Sequence, residues 1–496
     1  TTPLFQHIPP DAEQVYHINL TALGAKISWD DISGMIPPPK GSSDQEMMKY
    51  IKDPSLTGID FHQGLIITLG HLSKNVDSPS YITILTQISD SGKLMPLVRS
   101  TTKGLQSFKF PGKGSVIGKD KMAIAWNNKL VVVTIITVPK AKQIDGTAMG
   151  ISPYYTLTAA KKSAAALEGF TNSLYTTDPV FVKGFSDDAD FHAWTEPGSL
   201  FYQLMEMSKK KNPLAANGMK IPKPKTNLHS LTAFRFDQGK ITLHTTTMVP
   251  PDSAKIYEIF NSRPLNADLI THLPGKDMLG MFNMHVAPTE LTFLLDHYHT
   301  RGMIDSLLAK SGLTISDWAK AFKGDFLVAG MTPGQMPDTG KVKPDIFFVT
   351  TIGDMGAFMK VIGKLGINKD SSGGMLDKMK AGFTLRDNTL VIGPKGKTDA
   401  FFSTNNSANL NLVTDLVRKN AFSIVLDIKT ISALMKASDA NPSQKTQQMM
   451  HFISALDRVT YAAGNYQNGQ TEYYFEIKMT DPSENSLRSL FKLIHG

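Results

Sequence analysis

The sequence predicts an α+β fold formed by a tandem duplication, in which each of two repeats has a mainly antiparallel sheet with helices packed on it. The first observation is a strand-like run at residues 81–90 that recurs 264 positions later, at 345–354. Identical residues at this spacing are Ile82/Ile346, Thr86/Thr350, Ile88/Ile352, Asp90/Asp354, Gly92/Gly356 and Met95/Met359. Because internal repetition governs the fold, we assign residues 1–265 to the first repeat and 266–496 to the second.

Further landmarks recur in the same order along both repeats. They are the pairs Ile8-Pro9 and Leu273-Pro274 before strand-like runs, the hairpin turns at Asn128 and Asn388, and the turn glycines Gly239 and Gly469. Hairpins alternate with helices, and no regular strand–helix–strand rhythm is present. This pattern predicts an antiparallel sheet and not a doubly wound parallel one.

The elements of the first repeat follow from hydrophobic periodicity, since alternation marks strands and a 3.6-residue period marks helices. Strands are predicted at 15–20, 64–70, 81–90, 122–126, 130–138, 190–194, 228–236 and 241–249, and helices at 21–32, 161–175, 198–207 and from 252. In the first strand, Val15, His17 and Asn19 alternate onto one face. The run 130–138 is apolar on both faces, so we expect it inside the sheet.

The second repeat shows the same alternation of hairpins and helices. Its predicted strands are 345–354, 381–386, 390–392, 422–427, 459–466 and 471–479, and its helices end at 435, span 445–456 and begin at 482. The pair Asp387-Asn388 and the segment Gln467-Asn-Gly469 have the composition of tight hairpin turns.

Composition excludes several classes of protein. The 496 residues contain no cysteine, which rules out disulfides, thiolate metal sites and cysteine nucleophiles. A hydrophobic content of 41% with 19% charged residues is typical of a globular chain. The longest apolar run, 130–138, is far shorter than the roughly 20 residues of a membrane-spanning helix, so no span is predicted.

The net charge of +8 does not predict nucleic-acid binding, because the basic residues are mostly Lys and both repeats mix the two signs. Residues 209–225 contain six Lys, three Pro and no acidic residue. We predict a mobile insertion there, which limited proteolysis should cut first. A polyanion-binding module built on this segment is the alternative that salt dependence would test.

The segments Ile8-Pro-Pro-Asp-Ala12 and 15–20, together with the length and the repeated Asp60-Phe61 and Asp325-Phe326, resemble a Bacteroidetes lipoprotein family known as domain of unknown function 4836. The resemblance implies export, with a lipid anchor on a cysteine upstream, and a location in the periplasm or at the outer membrane surface. It implies no catalytic residues. The chain opens with Thr-Thr-Pro-Leu, from which we expect that a targeting segment has been removed.

Four residues are candidates for a site: Asp60, Asp325, His297 and His299. The two aspartates precede apolar strands at equivalent places in the repeats, and a turn or capping role is the alternative for them. His297 and His299 lie in Asp296-His-Tyr-His299, downstream of His285. Because side chains two apart on a helix diverge, a metal would need a strand or loop here, and an ordinary surface role is the alternative.

No cofactor is predicted. Residues 112–118 and 393–398 are rich in glycine and lysine, but their spacing fits neither dinucleotide nor P-loop motifs, so we interpret both as hairpin turns. No Gly-x-Ser-x-Gly or His-Glu-x-x-His motif occurs. We therefore expect an exported binding or scaffolding protein without catalysis, acting on an unknown envelope ligand or protein. The alternative is a periplasmic hydrolase with an unrecognised active site, which a pocket of convergent polar side chains would favour.

Overall fold

A computed structural model shows a mixed α+β protein in which all described strand pairs are antiparallel. It describes residues 3–495 apart from 29, 32–48, 51, 74–77, 102–103, 113, 139–152, 178, 186, 196–228, 262, 276, 298–299, 334–343, 365–380 and 439–442. The chain forms two compact units. Unit 1 comprises the described residues within Thr1–Glu196, Ser230–Phe236 and Leu490–Gly496, and unit 2 those within Pro197–His229 and Asp237–Ser489.

Unit 1 contains the first nine described strands. They are β1 (Gln14–Ile18), β2 (Leu65–His71), β3 (Ser80–Gln87), β4 (Gln106–Phe108), β5 (Ser115–Lys119), β6 (Met122–Trp126), β7 (Leu130–Thr137), β8 (Phe191–Thr195) and β9 (His229–Asp237). Their pairing order is β9-β8-β1-β2-β3-β7-β6-β5-β4. As its two apolar faces predict, β7 lies inside the sheet, between β3 and β6.

The helices of unit 1 pack on both faces of this sheet, since α3 contacts Val132 of β7 and the helix at 91–101 contacts the adjacent Val131. They are α1 (Leu20–Gly24), α2 (Ser91–Thr101), α3 (Pro153–Glu168), α4 (Leu174–Thr177) and α5 (Pro179–Gly184), with 3-10 turns at Pro3–His7 and Pro54–Thr57. The alanine-rich side of α3 packs with Val132 and Ile136 of β7 in the main core, where these residues are almost fully buried. Small alanine side chains let the helix approach the sheet closely, which excludes water from the core.

Unit 2 contains the other nine described strands. They are β10 (Lys240–Met248), β11 (Met278–His285), β12 (Phe322–Met331), β13 (Asp345–Ile352), β14 (Ala381–Arg386), β15 (Thr389–Pro394), β16 (Asn420–Asp427), β17 (Leu456–Gly464) and β18 (Gln470–Met479). Their pairing order is β10-β18-β17-β16-β11-β12-β13-β15-β14.

The helices of unit 2 are α6 (Ala254–Phe260), α7 (Asp268–Thr271), α8 (Pro288–His297), α9 (Arg301–Ala309), α10 (Ile315–Ala321), α11 (Met355–Lys364), α12 (Ser407–Lys419), α13 (Ile428–Ser438) and α14 (Gln444–Ser454), with a 3-10 turn at Asp399–Phe402. The last helix, α15 (Ser486–His495), spans the division between the units. The core joins α12 to β12 and β13 through side chains such as Val417, Leu327 and Val349. Among the described helices, none has the length and apolar character required to cross a bilayer.

The structure corrects some predicted boundaries. Asn19 caps the start of helix α1 by accepting a hydrogen bond from the Ala22 amide. The helix ends at Gly24, whereas the sequence pattern extends to 32, because the Lys26 amide closes a tighter turn on the Leu23 carbonyl. Helix α3 begins at Pro153 and ends at Glu168, before Gly169, which has a φ of 87°. The compact units are bounded differently from the predicted repeats, whose boundary at 265/266 stays a prediction. The predicted helix at 198–207 and the basic segment 209–225 lie outside the described residues.

Candidate functional site

A polar cavity of about 380 Å³ lies in unit 2, where β10, β16, β17 and β18 meet the end of α12. We call it the amide cavity. It is lined by His244, Lys419, Asn420, Gly464, Asn465, Gln467, Gln470, Glu472, Tyr473 and Tyr474. Its volume falls within the roughly 300–1,000 Å³ typical of small-ligand sites. Four of these residues carry side-chain amides, so the wall both donates and accepts hydrogen bonds.

One edge of the amide cavity is formed by the turn between β17 and β18. The backbones of Gln467 and Gln470 exchange two hydrogen bonds of 3.0 Å. Asn468 and Gly469 between them have φ values of 51° and 76°. This left-handed pair is what a tight antiparallel hairpin requires, and Asn-Gly is the dipeptide that adopts it most readily. The turn therefore fixes Gln467 and Gln470 at the cavity.

The opposite edge is the junction between α12 and β16. Lys419 is the last residue of α12, and the next residue, Asn420, begins β16. The Asn420 side-chain amide donates to the Leu416 carbonyl at 2.7 Å, and its backbone amide bonds the Val417 carbonyl. These bonds satisfy two carbonyls at the helix end and hold the Asn420 side chain in one orientation.

Strands β10 and β18 supply the charged and aromatic groups. His244 pairs across the sheet with Tyr474, and its Nε2 lies 3.6 Å from Glu472 Oε2. Burial, together with a hydrogen bond from its hydroxyl to Glu476 at 2.6 Å, raises the pKa of Tyr474. Burial is also the main cause that raises the pKa of Tyr473. Both tyrosines therefore remain neutral at physiological pH.

One acceptor in the amide cavity is unsatisfied. Asn465 Oδ1 is buried, and no hydrogen bond reaches it from the described part of the chain. An unpaired buried carbonyl costs about 1–3 kcal/mol, and because this oxygen has almost no accessible surface, a ligand reaches it only when the Asn465 side chain turns toward the cavity. Sequence reasoning identified the turn at 467–469 but not this cavity, because His244 lies far from the other lining residues along the chain.

The predicted candidate Asp325 lies in unit 2, on β12, and its side chain is 5% exposed. Its Oδ1 lies 3.1 Å from His285 Nδ1, its Oδ2 accepts from the Thr351 hydroxyl at 2.9 Å, and Arg263 approaches within 3.3 Å. Burial opposes ionisation, but the bond from His285 and the charge of Arg263 outweigh it and hold the pKa of Asp325 below its usual value. The Asp325 carboxylate thus binds side chains of β11 and β13 and links both strands to β12.

The other predicted aspartate, Asp60, has a different environment. Its Oδ1 accepts from the His62 amide at 3.0 Å, which closes a local turn before β2. Asp60 directly follows Ile59, which bridges to Ile88, and it lies before β2, whereas Asp325 lies within β12 and pairs with His285 of β11. The two aspartates therefore do not occupy matching positions relative to these strands.

Of the two histidine candidates, the structure describes His297. His297 ends α8, and its ring stacks on Phe293 with centroids 5.9 Å apart. His299 lies outside the described residues. Within the described ranges, no group of three or more His, Cys, Asp or Glu side chains is arranged to hold a metal ion.

Unit 1 contains a buried polar chain that sequence reasoning missed. His17 Nδ1 lies 3.3 Å from His192 Nδ1, and His192 Nε2 lies 2.5 Å from Asp187 Oδ1. Arg235 donates to the other oxygen of Asp187 at 2.7 Å. Burial, and then the charge of His192, lower the pKa of His17 to about 4. The only sequence signal was the position of His17 on the buried face of β1.

The surroundings of His17 are apolar. Its ring packs against Phe5 at 5.4 Å and Phe185 at 6.3 Å between centroids. A side chain at Gly64 would collide with the imidazole, so the absence of a Cβ there makes room for it. This enclosure indicates a packed core histidine that Asp187 and His192 keep oriented, and not a site open to ligands.

Comparison with known proteins does not assign the chain to a family. No family model matches it, and no curated protein matches it. Among solved structures, crystal forms IV and III of TP0453, a Treponema lipoprotein, show TM-scores of 0.29 and 0.30 at 10% identity. These matches cover 52% of this chain and 85% and 86% of theirs. Such low scores establish no common fold, so no function is transferred from them.

Proposed function

We propose that this is an exported, lipid-anchored binding protein of the bacterial cell envelope, which holds a small polar ligand in the amide cavity without catalysis. Export and the anchor rest on the resemblance of residues 8–20 to the lipoprotein family. The amide cavity carries the binding part of the proposal. Its lining is rich in polar residues, and a rotation of the Asn465 side chain would present its unpaired acceptor to a ligand.

The arrangement of charges favours binding over hydrolysis. The side chains of His244 and Glu472 are 48% and 57% exposed. Catalytic acid–base groups are normally desolvated and held by further partners, which shifts their pKa toward the working pH. A hydrolase in which Glu472 acts as general base is the second candidate, because an imidazole lies within 3.6 Å of it.

A thermal-shift panel tests the proposal. The purified protein is screened with neutral sugars, amino acids and inorganic phosphate, and assayed beside them on glycan, peptide and ester substrates. We expect at least one compound to raise Tm without turnover, and Gln470→Ala to weaken this effect. The matched control is Gln448→Ala, an exposed position on α14, which should behave as wild type. No stabilisation by any compound would contradict the proposal, and turnover abolished by Glu472→Gln would favour the hydrolase.

We also propose that the chain arose by tandem duplication of one α+β repeat. The order β9-β8-β1-β2-β3-β7-β6 in unit 1 matches β17-β16-β11-β12-β13-β15-β14 in unit 2, step by step. The residue pairing within corresponding strand pairs of the two units agrees as well. His17 pairs with His192 where β1 meets β8, and Asn283 pairs with Ser423 at the corresponding step between β11 and β16. These shared steps support a common origin, since unrelated sheets of this size have many alternative orders.

A further inference from the structure

We infer that the ligand of the amide cavity is a neutral, polyhydroxylated molecule of the saccharide class. This inference rests on the proposed binding function and narrows it to one chemistry. Three properties of the cavity carry it: the balance of charge, the type of hydrogen-bonding groups and the aromatic surface.

The charges of the cavity do not suit an anion. Its lining has one ammonium, Lys419, and one carboxylate, Glu472, beside the imidazole of His244. Sites for phosphate or carboxylate use arginine forks or the positive N-terminus of a helix. Here α12 presents its C-terminus, where the last carbonyls carry partial negative charge. An anion would meet repulsion at that edge, whereas a neutral ligand would not.

The hydrogen-bonding groups match hydroxyls. Each amide of Asn420, Asn465, Gln467 and Gln470 offers both a donor and an acceptor, and each sugar hydroxyl also does both. Two neighbouring hydroxyls of a sugar can therefore form a pair of hydrogen bonds with one side-chain amide. They can also both donate to the two oxygens of Glu472. Once the Asn465 side chain turns toward the cavity, its Oδ1 accepts from one further hydroxyl and is thereby satisfied.

The aromatic residues match the other surface of a sugar. A pyranose ring presents polar hydroxyls at its edge and C–H groups on its faces. Tyr473 and Tyr474 are consecutive on β18, so their rings point to opposite faces of the sheet. Tyr474, which pairs with His244, provides the ring surface on the side of His244, and burial keeps its phenol neutral. A polyamine would leave this surface unused, and it would bring several positive charges to a cavity whose lining has a single carboxylate, Glu472.

Calorimetry and thermal shift on the full chain test the inference. The probes are glucose, galactose, N-acetylglucosamine and maltose, with inorganic phosphate, glutamate and spermidine as charged comparisons. We expect at least one sugar to bind and to raise Tm, while the charged probes do not. Asn465→Ala should weaken that binding about tenfold or more, because it removes the buried acceptor. Asn128→Ala, at an exposed turn of unit 1, is the matched control and should leave binding unchanged.

The variant Gln467→Ala provides a second measurement if Asn465→Ala does not fold, since Gln467 is exposed at the cavity edge. It should also weaken sugar binding. Binding of phosphate, glutamate or spermidine in place of any sugar would overturn the saccharide inference and leave the binding function standing. Absence of binding by every probe would overturn both.

Discussion

His17 is a buried base whose surroundings favour its neutral form. Two phenylalanine rings enclose it, and the neighbouring His192 is oriented by Asp187. A proton on His17 would lie in this low-dielectric interior beside a second imidazole, which explains the depressed pKa. The unfolded chain has no such penalty, and His17 there regains its ordinary pKa.

This difference predicts a pH-dependent stability. Since the folded pKa of His17 is lowered from 6.5 to about 4, the unfolded state binds more protons between these values. The contribution of His17 is full above about pH 6.5 and is lost as the pH falls toward 4. We expect on the order of 3 kcal/mol less unfolding free energy from this group at pH 4.

Urea unfolding at pH 7 and pH 4.5 measures the effect. His17→Gln should flatten the dependence between these two values, whereas His62→Gln, at an exposed site, should keep the wild-type slope. An unchanged slope in His17→Gln would show that other groups account for the loss of stability.

At the scale of single elements, the irregular start of β12 requires a glycine. Gly324 has a φ of 100°, and a Cβ built on it would collide with the Val286 carbonyl oxygen. The register of β12 against β13 shifts between Phe322 and Phe326, which is the signature of a β-bulge. The bulge brings Asp325 into reach of His285 and Thr351, so one backbone feature positions the buried carboxylate.

Replacing this glycine should be costly. We expect Gly324→Ala to lower the free energy of unfolding by about 3 kcal/mol, because it combines a strained φ with a clash against backbone. Gly363→Ala is the matched control. Gly363 is helical, lies near the end of α11 and has no atom within 4 Å of a built Cβ, so alanine there should stabilise by about 0.5 kcal/mol. Equal midpoints in urea for the two variants would refute this account of the bulge.

Elements governed by local chemistry were predictable from sequence. The hairpins at Asp387-Asn388 and at Asn468-Gly469 form as expected, because these residues adopt left-handed φ at little cost. The ends of α1 and α3 were not predictable, since a tight turn at Lys26 ends α1 and Gly169 ends α3. The amide cavity could not be predicted, because pairing of β10 with β18 brings His244 to residues more than 170 positions away.

For the whole chain, the predicted boundary between the repeats differs from the boundary between the two compact units. The predicted boundary at 265/266 leaves β10 in the first repeat, yet β10 pairs with β18 over nine residues and belongs to unit 2. Without β10, the edge of β18 would present unpaired amides and carbonyls to other chains.

Fragments test this assignment of β10. We expect a chain of residues 238–496 to be monomeric and to unfold at a higher urea concentration than one of 266–496. A chain of 250–496, which keeps α6 but lacks β10, should behave as the shorter one. Light scattering and urea unfolding measure both properties. Equal behaviour of all three would mean that β10 adds nothing to unit 2.

The composition of the amide cavity has a consequence for its ancestry. His244 comes from residues 1–265, and the other lining residues come from 266–496. Under the proposed duplication, β10 and β18 descend from the same strand, the second of each closing hairpin. A single ancestral chain would have lacked the partner strand. Under that proposal, the complete cavity with β10 as one wall would have formed either in a symmetric pair of ancestral chains or after their genes were fused.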